Sequence, residues 1–181
     1  MGKLTFILGG ARSGKSACAQ RLAENRVSKV LFIATATADD DEMAVRIAKH
    51  RKGRPPGWTT REIPYGIAAS LKTDSPEADI VLLDCITLLI SNLLLQDGEA
   101  GPDEAAANRC IETEINGLLE IIRNGQADWI VISNEVGLGL VPPYPLGRMY
   151  RDLLGRVNQQ LAAHADEVLW MVAGIPVPIQ K

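Results

Sequence analysis

An apolar strand that runs into a glycine-rich loop and then a helix leaves a chain few ways to fold. This one carries such a unit near its start, LTFILGGARSGKSACAQRLAEN. Leu4–Leu8 reads as the strand, Gly9-x-x-x-x-Gly14-Lys15-Ser16 as the loop, and Lys15–Asn25 as the helix. The glycines let the segment Gly9, Gly10, Ala11, Arg12, Ser13, Gly14 curl until successive N–H groups converge at a helix N-terminus, which suits phosphate oxygens. Lys15 is placed to neutralise the outer phosphates of a nucleotide and Ser16 to hold Mg²⁺. The motif stands in its proper context, so a turn that binds nothing is a poor account of it.

The rest of the chain repeats the strand–helix alternation. Further strands are expected at Val30–Ala34, Ile80–Asp84, Trp129–Ser133 and Glu167–Val172, with a short one at Thr59–Ile63. Helical patterns cover Asp41–Lys52, Gly66–Leu71, Thr87–Gln96, Asp103–Asn124 and Leu146–His164. Alternation of this kind requires right-handed crossovers and a parallel sheet, and the almost unbroken apolar strands fit burial on both faces. The expectation is an α/β, P-loop NTPase-like three-layer sandwich with a mostly parallel central sheet, one domain over residues 1–181. Stretches rich in Gly and Pro, Gly53–Gly57, Asp97–Pro102 and Gly137–Pro145, are predicted to be mobile.

In such sheets ligands gather beyond the carboxyl ends of the strands. The positions to watch are therefore Ala34-Thr35-Ala36, Asp84, and Ser133-Asn134-Glu135. Asp84 is where P-loop proteins place an acid that acts on the Mg²⁺ shell, the favoured role, with capping of the next helix as the alternative. Glu135 is either a base or a loop hydrogen-bonding group. Arg148, Arg151 and Arg156 sit at spacings that cannot share one helix face, and Asn158 lies on the same helix.

Composition narrows the partners. A net charge of −3 argues against general nucleic-acid binding, and 46% apolar with 23% charged residues excludes a disordered chain. Cys18, Cys85 and Cys110 have no metal-ligand spacing and are expected to be reduced thiols of a cytoplasmic protein. The run IVLLDCITLLISNLLL is too short for an easy membrane span and contains Asp84 and Asn92. The start carries no signal-peptide pattern.

Against that acidic background RIAKHRKGRPP is unusual: Arg46, Lys49, Arg51, Lys52 and Arg54 surround His50. A helix dipole explains part of it, with Asp40 or Asp41 capping the start, bases in the last turn and Gly53 as the stop. That account needs neither a histidine nor Arg54 beyond the stop. The alternative is chemical. Neighbouring cations disfavour imidazolium, and a neutral imidazole could attack a nucleotide α-phosphate, giving a phosphoramidate and pyrophosphate while the cations stabilise the developing charge. The residues alone leave both open. His164, near a helix end, has no such setting and reads as structural or surface. Glu62 could accept two hydrogen bonds from a guanine edge.

The segments GGARSGKS, LFIATA, DDEMAVRIAKHRKGRPPGW, LLDCITLLISNLL, SNEVGLGLVP and YRDLLGRVNQQLA together closely resemble the bifunctional adenosylcobinamide kinase / adenosylcobinamide-phosphate guanylyltransferase family of cobalamin biosynthesis. The likeness runs in order over nearly the whole chain. It implies phosphorylation of adenosylcobinamide with ATP or GTP, then transfer of GMP from GTP to the product through a guanylylated histidine. His50 falls on the family's reacting histidine. Gly9–Ser16 would bind phosphates, with Ala34, Thr35, Ala36, Arg51, Lys52, Gly53 and Arg54 adding contacts. Glu62 and Asp84 fall on acidic positions associated with the nucleotide, and Mg²⁺ is the implied metal. Where some relatives have a second histidine, this chain has Lys49. The resemblance also implies a homotrimer with its corrinoid site near subunit contacts. Two other readings compete: a P-loop small-molecule kinase with a structural His50, and a regulatory nucleotide-binding module that switches a protein partner.

Overall fold

The computed structural model describes residues 2–26, 29–37, 41–74, 77–96 and 103–179, with the backbone alone at 41–43, 46, 49 and 50. Seven strands form one sheet: β1 (Leu4–Gly9), β2 (Val30–Ala34), β3 (Thr59–Glu62), β4 (Ile80–Asp84), β5 (Asp128–Asn134), β6 (Glu167–Val172) and β7 (Ile175–Ile179). Their order is β3-β2-β4-β5-β1-β6-β7, and every neighbouring pair is parallel except β6 with β7. The helices are α1 (Lys15–Glu24), α2 (Asp41–Lys52), α3 (Ile67–Thr73), α4 (Ile86–Leu95), α5 (Glu104–Asn124) and α6 (Pro145–His164).

The central strands are almost unbroken apolar runs because both faces are covered. Phe6, Leu31, Ile33, Leu83 and Val131 point to the larger core, which also holds the inner sides of α3 to α6. Their alternates Ile7, Phe32, Leu82 and Ile132 point to the smaller one, filled from α1 by Cys18, Ala19 and Ala23. Small side chains on α1 let the helix that follows the phosphate loop lie close to the sheet. The expected α/β architecture with a mostly parallel sheet is thus observed.

One strand was not anticipated. The sequence IPVPI carries two prolines, which argue against a sheet interior because proline has no N–H to give. The structure resolves this by placing β7 at the edge. Pro176 and Pro178 oppose Met171 and Leu169, two residues apart, so one edge of the strand can carry both ring nitrogens. The two-residue turn is Ala173-Gly174, with φ of 50° and 85°, the positive values that suit the twist of a tight hairpin. Ser133 and Asn134, expected at or just past the end of a strand, lie within β5.

The start of β1 is tied to β5 by a charge. The Asp128 carboxylate accepts the Lys3 N–H at 2.8 Å and pairs with the Arg26 guanidinium. Partial burial pushes this carboxyl up, but the Lys3 N–H and Arg26 outweigh it and hold it below the usual range. A carboxyl with a depressed folded value stabilises the fold above its unfolded pKa of about 4, and loses that contribution as pH falls through the folded value. Asp128→Asn should therefore melt below wild type at pH 7, with the gap closing as thermal scans move below about pH 4. A gap that stays constant down to pH 3 would contradict this role.

Candidate active site

The carboxyl ends of β1, β2, β4 and β5 meet around a cavity of about 700 Å³, within the range of nucleotide-sized sites. The phosphate loop forms one wall from Ala11 to Ala17. Ala34 and Ala36 from the end of β2, Asp84 and Cys85 from β4, and Asn134 from β5 complete much of the rest. The sheet therefore brings together residues from four strand ends, as its parallel order requires.

Gly14 makes the loop possible. It adopts φ 98°, and a side chain there would place its Cβ 3.0 Å from Gly174 Cα in the β6–β7 turn. The Gly174 N–H donates to Ser13 O at 2.9 Å, so the hairpin braces the loop from behind. Arg12 takes a positive φ of 57°, uncommon for a residue with a side chain and the kind of backbone state that functional loops retain. No side chain caps α1, which leaves its N-terminal N–H groups and dipole for an anion.

Lys15 is only 8% exposed, and its Nζ donates to Gly10 O at 2.6 Å. Burial lowers the pKa of this ammonium, while nearby Cys85 and Asp84 oppose the shift. An arriving phosphate would stabilise the charged form further. Burial pushes the Cys85 thiol up to about 11, assisted by the Asp84 charge, so Cys85 stays protonated at neutral pH and is a poor nucleophile.

Asp84 lines the cavity with Lys15 and Ser16. The N-cap position of α4 itself is taken by Cys85. A carboxylate and a hydroxyl facing one cavity are hard oxygen donors that fit Mg²⁺, which commonly takes its remaining ligands from water and phosphate. Among the described residues, no group of three His, Cys, Asp or Glu could form an all-protein metal cage.

Arg54 forms a second wall. Its guanidinium lies 3.8 Å from the centroid of the Phe32 ring, and Phe32 stacks in turn on Trp58 at 6.4 Å between centroids. Its Nε is buried with no hydrogen-bond partner among the described residues. Burial lowers its pKa, Asp84 opposes that, and Arg51 adds to it. The ring contact, a cation–π interaction of about 1 kcal/mol for this half-buried guanidinium, positions it more firmly than the 3.5 Å approach of Nη1 to Thr60 Oγ1. Arg54 also lines a neighbouring cavity of about 530 Å³ with Arg51, Pro55, Pro56, Trp58, Thr60 and Glu62.

The remaining expected residues fall differently. Thr35 is fully buried, and its hydroxyl donates to Cys85 O at 2.7 Å and accepts the Cys85 N–H at 2.8 Å. It fastens the end of β2 to the end of β4, while Ala34 and Ala36 on either side reach the cavity. Glu62 is engaged by Arg51, whose Nε donates to Oε1 at 2.9 Å, so a base edge would have to share that carboxylate. Glu135 Oε1 accepts the Gly137 N–H at 2.5 Å, the loop hydrogen-bonding alternative. Lys52 and Gly53 are exposed and line neither cavity described above. The three arginines of α6 part company as their spacing requires: Arg148 to loop carbonyls, Arg151 to Asp152, Arg156 to Asn108. His164 Nδ1 lies 2.8 Å from Gln160 O at the helix end.

His50 lies in α2, and its side chain, like those of Arg46 and Lys49, is outside the described residues, as are Asp40 and the segment 97–102. What is described brackets it. Ile47, three residues before, and Arg54, four after, both line the phosphate-loop cavity. Gln20 of α1 donates to Gly53 O at 2.8 Å, tying the helix after the loop to the end of α2.

Sequence reasoning missed the aromatic support of Arg54. A signal existed, because Phe32 and Ala34 share a face by strand periodicity and Trp58 follows the basic run closely. Their meeting depends on β2 lying beside β3, which no local pattern states.

A model of the CobU family, described as cobinamide kinase / cobinamide phosphate guanyltransferase, matches residues 5–179. The bifunctional adenosylcobalamin biosynthesis protein CobU of Escherichia coli is 43% identical, covering 98% of this chain and 99% of its own. CobP of Pseudomonas aeruginosa, described in the same words, is 42% identical over 97% of this chain and 96% of its own. Among solved structures, the RadB recombinase superposes with a TM-score of 0.50 at 20% identity, covering 93% of this chain and 73% of its own. That last likeness concerns the fold alone.

Proposed function

This chain belongs to the cobinamide kinase / cobinamide phosphate guanyltransferase family, and from that premise we propose how its residues divide the two reactions. The enzyme phosphorylates cobinamide, as the adenosyl form, and then transfers GMP to the phosphate. In the first reaction Gly9–Ser16 hold the triphosphate of ATP or GTP, and Lys15 and Arg54 draw negative charge toward the transferring phosphorus. Ser16 and Asp84 would hold Mg²⁺, which would neutralise phosphate charge.

In the second reaction an imidazole nitrogen of His50 attacks the α-phosphorus of GTP. A P–N bond forms, the α–β P–O bond breaks, and pyrophosphate leaves. A phosphate oxygen of adenosylcobinamide phosphate then attacks the same phosphorus, forming the new P–O bond and breaking P–N. The histidine is returned and adenosylcobinamide-GDP is released. Arg54, on the wall of the phosphate-loop cavity, would meet the charge that develops in both steps. The observation that carries this reading is that Ile47 and Arg54, on either side of His50, line the cavity that contains Lys15.

The chain is read as one catalytic unit of a cytoplasmic homotrimer. No helix among the described residues is long and apolar enough to cross a membrane. The exposed Ile175, Val177 and Ile179 of edge strand β7 support contact between copies, with Pro176 and Pro178 disfavouring plain strand addition.

Incubation with adenosylcobinamide, ATP, GTP and Mg²⁺ should yield a corrinoid heavier by one phosphate and then by GMP. A corrinoid unchanged in mass overturns the reading. Asp84→Asn should raise the Mg²⁺ concentration for half-maximal phosphorylation by about tenfold or more. An unaltered Mg²⁺ dependence would remove Asp84 from the metal site.

A further inference from the structure

Single apolar side chains in water need no explanation, but Leu138, Leu140, Val141 and Tyr144 stand exposed within one short loop, Leu138 at 81% and Leu140 at 96%. The loop follows β5 directly, and from Val136 to Gly147 its sequence, VGLGLVPPYPLG, has no charged residue. Hydrogen bonds fix it at both ends. The Glu135 carboxylate accepts the Gly137 N–H, and Arg148 Nη1 donates to Pro142 O at 3.0 Å and to Pro143 O at 2.8 Å. Three prolines further restrict its backbone. A cluster of apolar side chains left in water is an arrangement that suits a ligand.

Its position is set by the same site. The Glu135 N–H donates to Gly9 O at 3.1 Å, and Asn134, the last residue of β5, lines the phosphate-loop cavity. The loop thus starts at the rim of the cavity where phosphate transfer takes place. Its chemistry is the reverse of the phosphate side: there Lys15 and Arg54 suit anions, here aliphatic and tyrosyl side chains stand among glycines and prolines.

We propose that the 137–144 loop is the platform on which the corrin macrocycle of cobinamide rests, with Leu138 and Leu140 as its main apolar contacts. The inference rests on the family reading for its substrate class. A corrin ring presents alkyl-substituted faces and neutral amide arms, which match an uncharged apolar surface with exposed backbone polar groups. A strongly anionic ligand would not. Docked there, the macrocycle can extend its aminopropanol arm over the rim toward Lys15, while the nucleotide approaches from the Arg54 side. A second copy of the chain is the competing occupant.

The test is the doubly substituted Leu138→Ser, Leu140→Ser enzyme, whose changed side chains belong to no core cluster. Equilibrium dialysis with adenosylcobinamide should show its Kd raised about tenfold or more. Sedimentation should give the wild-type oligomer, and GMP adduct formation from α-labelled GTP without corrinoid should report an intact nucleotide site. Leu140→Met should retain most of the affinity. An unchanged Kd overturns the proposal, as does a loss of assembly, which would assign the loop to a copy interface. A wild-type enzyme that binds adenosylcobinamide but forms no GMP adduct would fault the nucleophile and leave the platform standing.

Discussion

His50→Ala is expected to reduce GMP transfer by about 10³-fold or more while leaving phosphorylation of adenosylcobinamide within about tenfold of wild type. The asymmetry follows from what each reaction asks of the segment. Covalent transfer needs a nitrogen that can bond to the α-phosphorus, and alanine has none. Phosphorylation needs the field of the cations, which Lys15 and Arg54 still provide. Arg54 is held by Phe32 and Trp58 from β2 and the turn before β3, independently of residue 50. The measurement is the rate of each product in separate assays, with circular dichroism to confirm folding. Equal loss of both activities in a well-folded variant would contradict distinct roles for the histidine and the loop.

Lys15→Ala should impair both reactions, each by about 10²- to 10³-fold or more. The ammonium is buried at the centre of the cavity, and Gly10 O accepts one of its three N–H donors. The others can meet phosphate oxygens in a site where low exposure strengthens the attraction. Because burial already disfavours its charge, replacing it should not lower thermal stability greatly. A fall in kcat with unchanged Tm would identify a catalytic loss. If Lys15→Ala lost phosphorylation alone and acquired GMP at the wild-type rate, the two reactions would use separate phosphate sites. That outcome would move the second nucleotide toward the cavity around Trp58 and Glu62.

What could be read from the sequence depended on how local the cause was. The strand, loop and helix around Gly14 are fixed by neighbours within a dozen residues, so their chemistry was legible directly. Asp84 was legible because a strand end is a position that the fold class reserves for function. Thr35 was not, since its hydroxyl is used by Cys85, fifty residues away. Neither was β7, because only sheet order makes an edge where Pro176 and Pro178 are tolerated. The basic segment lay between these cases. Its charge was plain from the sequence and open to a dipole explanation, and the placing of Ile47 and Arg54 in the Lys15 cavity favours the chemical one.

The central claim, that His50 carries GMP between GTP and the corrinoid phosphate, is tested most directly by locating the adduct itself. The wild-type enzyme, treated with α-labelled GTP and Mg²⁺ and digested under alkaline conditions that preserve a phosphoramidate, should carry an acid-labile GMP on the peptide containing His50 and on no other. A GMP group on Lys15 or His164, or no adduct in an enzyme that still makes adenosylcobinamide-GDP, would contradict it.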